Sequence, residues 1–136
     1  MGAGGRDAGA GAGHNNADVA FVKALIPHHQ EGIALAARAA AARPGARTLA
    51  EAIIATQQDE IVRMTGWLRE WGETAPPRGT PGPVRADPVG ALIAHQQAAV
   101  RLAQQEQGGG SNRAALDFAR QVVESRTAQI SQLEAV

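Results

Sequence analysis

The stretch from Ala24 to Ala36 reads ALIPHHQEGIALA, and 67 residues further on the chain reads ALIAHQQAAVRLA, from Ala91 to Ala103. Ala, Leu, Ile, His, Gln, Leu and Ala stand in register between the two. Downstream, LAEAIIATQQDEIVRM from Leu49 is echoed more loosely by FARQVVESRTAQISQL from Phe118, at an offset of 69. The larger offset places two extra residues in the second loop. The periodicity is helical: Phe21, Leu25, His28, Gly32, Leu35 and Ala39 step alternately by four and three. A helical hairpin leaves an apolar face uncovered, and a second copy related by an approximate two-fold covers it. The predicted fold is all-α, a four-helix bundle built from two repeated helical hairpins.

Local signals set the expected boundaries. Asp18 reads as the N-cap of a first helix running to about Arg43, where Pro44-Gly45 closes it. Thr48 and Glu51 make a capping-box pattern ahead of Ile53, and the second helix continues through Ile61, Met64 and Leu68 to about Gly72. Asp87-Pro88 is a cap followed by a proline at the first helical position, opening a third helix that ends at Gly108-Gly109-Gly110. Ser111 reads as the cap of the fourth. Between the hairpins, residues 73–86 carry prolines at 76, 77, 81 and 83. Extended, such a linker reaches roughly 43 Å, whereas a helix of about 25 residues is about 37 Å long. It can traverse the whole bundle, which is the long crossover of ferritin-like topology. The predicted organisation is a disordered leader over 1–17 and a bundle over 18–136, with hairpins 18–72 and 87–136.

Composition removes several functions. With no cysteine there is no thiolate metal site, thiol nucleophile or disulfide. Formal charge is zero and Lys23 is the only lysine, so no basic footprint for nucleic acid is present. No apolar run reaches the roughly 18 residues needed to span a bilayer. Four aromatics, Phe21, Trp67, Trp71 and Phe118, imply an aliphatic, alanine-based core with the two tryptophans as an apolar cap. The glycine- and alanine-rich leader cannot bury enough surface to order itself. It resembles a tether left after a targeting segment is removed, and His14 within it is expected to take no part in the site.

The stripes decide which polar groups face inward. His28 lies with Phe21, Leu25 and Leu35, and its repeat mate His95 with Leu92 and Leu102. His29 follows Val22, Ile26, Ile33 and Ala36, and its mate is Gln96. On the second helix Gln57, Glu60 and Met64 share a face with Ile53 and Ile61. Folding the first hairpin about Gly45 brings His28 and His29 to the depth of Glu60 and Met64. The second half adds His95 and Gln129, the mate of Glu60. Imidazole and carboxylate are ligands for zinc, copper, nickel or iron, and Gln57 or Gln129 would orient an imidazole by hydrogen bonding. The alternative is a buried histidine–Glu60 pair that sets helix register without any metal. A di-iron centre is excluded, because it needs Glu-x-x-His on two helices and the chain has none. Pro27 removes the hydrogen bond to the Lys23 carbonyl and should kink the first helix without breaking it.

Asp18, Phe21, Ile26-Pro27-His28-His29 and Gly32, followed by Gln57, Glu60-Ile61, Met64 and Trp67, resemble the bacterial domain-of-unknown-function 305 family. The likeness is strong over residues 18–72, and the second half is a weaker copy. It implies a ferritin-like bundle, export behind a secretory or lipoprotein signal, and, by analogy with some relatives, handling of copper or silver. Carried over, it makes His28, His29, Glu60 and Met64 the candidate ligands. The copper-handling relatives are rich in methionine, whereas leucine stands at 25 and 35 here and Met64 is the sole internal methionine. That departure favours an imidazole–carboxylate site for Zn(II) or Cu(II) over Cu(I).

Two functional readings follow. One is an exported bundle that binds a transition metal, copper or zinc, at the His28/His29/Glu60 level, with Met64 and His95 as further candidate ligands. The other is a structural or protein-interaction domain with buried His–Glu pairs and no metal. An enzyme using Glu60 as base lacks a nucleophile and an oxyanion hole, so no catalysis is expected.

Overall fold

The computed structural model describes residues 13–83 and 87–136. The expected disorder of residues 1–12 and the linker positions 84–86 fall outside them. Four helices are present: α1 (Asn16–Ala42), α2 (Arg47–Glu70), α3 (Pro88–Gly109) and α4 (Arg113–Glu134), with a 3-10 turn, Pro44–Ala46, between the first two. Among the described residues there is no strand, and no helix is long and apolar enough to cross a membrane. Pro27 lies inside a continuous α1, as expected.

Contacts at the helix ends establish the topology. His14 stacks on Trp71 with ring centroids 4.6 Å apart, and Lys23 pairs with Glu73 at 2.9 Å, so α1 begins where α2 ends. His14 is thus docked on the bundle and not part of a free leader. At the other pole Arg43 meets Asp87 at 3.0 Å, so α3 begins where α1 ends. Asn15 Nδ2 donates to the Gly109 carbonyl, which returns α3 to the starting pole. Both α2 and α3 therefore run antiparallel to α1, and α4 runs parallel to it. The crossover spans the bundle, as the ferritin-like arrangement requires.

Three caps differ from expectation. The N-cap of α1 is Asn15, whose side chain accepts from Asp18 N at 3.0 Å. Asp18 is the third helical residue and completes a capping box by accepting from Asn15 N at 2.8 Å. Its carboxylate also accepts from the backbone of Ser111 and Asn112, tying the start of α1 to that of α4. Asn112, not Ser111, caps α4 through Ala115 N. The Thr48–Glu51 box is not formed: the 3-10 turn runs directly into α2 at Arg47 with no side-chain cap, and Glu51 pairs instead with Arg47. Asp87 and Pro88 open α3 as expected. The second helix ends with Gly72 at φ 71°, Glu73 N donating to Leu68 O and Gly72 N to Arg69 O, the double bond of a Schellman motif.

The core is two apolar clusters. One, near the start of α1, holds Phe21, Leu25, Met64, Trp67, Phe118 and Val122. The other, near its end, holds Leu35, Ala39, Ile53, Leu92 and Leu133. Between these clusters each helix contributes buried or half-buried polar residues: 28–29 on α1, 57 and 60 on α2, 95–96 on α3, 126 and 129 on α4. A polar layer therefore crosses the middle of the bundle. Alanine lets α1 approach α2 and α3 closely, whereas α2 and α4 stand further apart. Long side chains bridge that wider seam, including Trp67 edge-on to Phe118 and Arg63 over the Phe118 ring at 5.2 Å.

Candidate metal centre

Three groupings make up the polar layer. The first is charged. His29 Nε2 donates to Glu60 Oε1 at 2.6 Å. The Arg126 guanidinium reaches both Glu60 oxygens, with Nη1 3.4 Å from Oε2 and Nη2 bonded to Oε1, and Nη2 stands 3.1 Å from His29 Nε2. Arg126 and His29 are 0% and 1% exposed, while the Glu60 side chain keeps 13% at the edge of an open groove along α2. Burial pushes the Glu60 carboxyl up, but the His29 bond and the Arg126 charge outweigh it, and the net shift is downward. The His29 imidazole is driven down by burial and by Arg126, against the pull of Glu60. At neutral pH the trio is thus an ion pair with a neutral histidine.

The second grouping is its uncharged counterpart. Gln57 Nε2 donates to Gln96 Oε1 at 3.3 Å, and Gln96 Nε2 donates to Gln129 Oε1. The internal repeat relates the two sets residue by residue: His29 to Gln96, Glu60 to Gln129, Arg126 to Gln57. Two of the three pairings recur, His29–Glu60 as Gln96–Gln129 and Arg126–His29 as Gln57–Gln96, once with charges and once with amides. The Arg126–Glu60 pair has no amide counterpart among the described residues.

The third lies where the two halves meet. His28 and His95, each other's repeat mates, stack with centroids 3.6 Å apart and planes 10° from parallel. His95 Nε2 donates to the His28 carbonyl at 2.6 Å. Burial, followed by the neighbouring His95 and His29, pulls His28 down to about 3. His95 is lowered too, chiefly by burial. Both rings are therefore neutral, and both residues keep partial solvent exposure. Gly32 makes room for this arrangement: a Cβ there would lie 2.7 Å from Gln57 Oε1 and 3.0 Å from His95 Cδ2.

The residues singled out from sequence divide accordingly. His29 and Glu60 meet, with Gln57 and Gln129 in the amide set beside them. His28 faces His95 and not Glu60, because adjacent residues on a helix point about 100° apart. Met64 belongs to the apolar cluster with Phe21 and Trp67, fully buried. Among the described residues no three His, Asp or Glu side chains converge as a metal would need. The residue missed is Arg126. Its one signal was its alignment with Gln57, which places an arginine on an inward-facing position.

The donor sets can be tested against a metal ion by their chemistry. At His29–Glu60 the cation role is already filled by the guanidinium. At His28–His95 two neutral imidazoles suit a soft or borderline ion, but a metal binds in the plane of each ring and parallel planes share no point. One ring must turn before both can ligate.

By sequence, no curated protein matches the chain. By structure, it is similar to CopM in the Cu(I)-bound form, with 25% identity and a TM-score of 0.75 over 87% of this chain and 93% of that one. CopM in the apo form matches equally, at 25% identity and a TM-score of 0.75. CopM in the Ag-bound form, obtained by soaking, matches at 26% identity and a TM-score of 0.73, covering 87% and 92%. The model of one family, described as "Domain of unknown function (DUF305)", matches twice, over residues 18–90 and 89–136, in step with the two hairpins. The chain belongs to the domain of unknown function 305 family.

Proposed function

We propose that this protein binds a copper-type transition-metal ion through His28 and His95, as a non-catalytic metal-handling protein outside the cytoplasm. The observation that carries it is the meeting of two neutral, partly exposed imidazoles from α1 and α3, 3.6 Å apart at mid-bundle. A proton affinity pulled as low as about 3 at His28 leaves that ring's lone pair free at neutral pH, the form in which imidazole ligates metals. Similarity to CopM in Cu(I)- and Ag-bound forms supports copper over other ions. Export is supported by the family resemblance. Met64 lies in the apolar cluster, so the ligands of this reading are nitrogen, and Zn(II) is the competitor to test.

The test is a melting curve with Cu(I), Ag(I) and Zn(II). An ion that binds only the native state stabilises it by about 2.7 kcal/mol at a hundredfold excess over Kd. The shift is expected to disappear in His28→Ala and His95→Ala. No shift at excess metal, with any of the three ions, would remove the proposal. One observation favours a second reading, a structural domain without metal: Arg126 already neutralises Glu60, which also accepts from His29. The same titration separates the two.

A further inference from the structure

We infer that Arg126 is the resident cation of the His29–Glu60 pair and thereby decides which part of the polar layer a metal ion can enter. The inference rests on the metal-binding reading above for its functional meaning. The guanidinium is 0% exposed and touches both carboxylate oxygens and approaches the imidazole nitrogen. A cation contacting a carboxylate and an imidazole stands where Zn(II) or Cu(II) stands in a His/Glu site. Guanidinium cannot lose its proton in a protein, so Glu60 is permanently neutralised. A divalent ion added here would set three positive charges against one carboxylate in a low-dielectric layer, where repulsion is strong. Entry therefore requires expelling a fully packed side chain.

The repeat supports this independently. Where the first network has acid and cation, its mate has Gln129 and Gln57, so one network carries both charges and the other carries neither. Charge balance is met within each network by side chains alone. Of the two groupings without an internal cation, the amide set and the His28–His95 stack, only the stack offers imidazole nitrogens, which leaves it as the part of the layer open to an ion.

The experiment titrates the whole chain with Zn(II) and follows the imidazole nitrogen resonances by NMR. In the wild-type protein His29 should stay unmoved at saturation. Arg126→Met should gain one Zn(II) per chain with a shift at His29, and Glu60→Gln in that background should abolish the gain. Arg126→Lys, which keeps a cation, should not show it. The inference is overturned if His29 shifts in the wild type, or if folded Arg126→Met takes up no additional ion. Should Arg126→Met fail to fold, the wild-type His29 resonance decides alone. A wild type that binds nothing, beside an Arg126→Met that gains the Glu60-dependent site, upholds this inference and removes the metal-binding reading instead.

Discussion

Asp18 and Glu106 show how position decides the charge of a side chain. Both are carboxyls, both are buried, and they adjoin at the pole where α1, α3 and α4 meet. Burial pushes Asp18 up, but the Glu106 hydrogen bond and three backbone amides outweigh it and hold it down as a carboxylate. Glu106 has no such set of donors. Burial, and then the Asp18 carboxylate, push it up to about 9, so it is a neutral acid at pH 7. In the unfolded chain it ionises near 4.5. The folded state thus holds the proton that the unfolded state releases, and this group's contribution falls as pH rises from about 4.5 to about 9. Glu106→Gln keeps the shape without the proton. Its melting temperature relative to wild type should rise steadily between pH 5 and pH 9; a constant difference across that range would show that Glu106 is ionised in the native protein. Among the histidines, helical spacing sets the common depth of His28, His29 and Glu60, whereas the pairing of His29 with Glu60 and the stacking of His28 on His95 depend on how the helices pack.

At the level of elements, helix lengths and faces were legible in the periodicity of Phe21, Leu25 and Leu35, but the caps were not. Asp18 and Ser111 are both good capping residues one to three positions from the true caps. The choice went to Asn15 and Asn112 because Asp18 is then free to collect the amides of Ser111 and Asn112 from another helix. Nothing within α1 specifies that bond. Truncating a side-chain cap costs about 1 kcal/mol, so Asn15→Ala and Asn112→Ala should each lower stability by about that much in urea denaturation. Thr48→Ala, at an exposed position inside α2, should change it by less than about 0.5 kcal/mol. An equal loss at Thr48 would mean that its capping box forms after all.

For the molecule as a whole, the crossover is the feature that most constrains the fold. It leaves α2 at the Lys23–Glu73 pair and passes α1 at Pro27, where Gly79 N donates to Gln30 Oε1 at 2.7 Å. The approach is so close that a Cβ on Gly79 would overlap the Pro27 carbonyl and lie 2.8 Å from its Cα. Gly79→Ala should therefore lift the linker from α1 and cost about 1–3 kcal/mol, the usual penalty for overpacking a tight contact. Proteolysis of the linker should become faster in the same variant. A wild-type melting temperature in Gly79→Ala would show that the contact contributes nothing.

The number of helices, their duplication and the inward depth of the polar residues were all determined by sequence alone. They rest on local periodicity and on an internal repeat, both of which are properties of the chain before it folds. Which polar group meets which was decided by the tertiary structure. Arg126 reaches Glu60 across 66 residues because α2 and α4 stand apart and leave a seam that only a long side chain can bridge. His28 finds His95 because alanine and Gly32 let α1 and α3 come close. Spacing along one helix cannot encode the distance between two, and that distance is what separates a closed ion pair from a pair of imidazoles open to an ion.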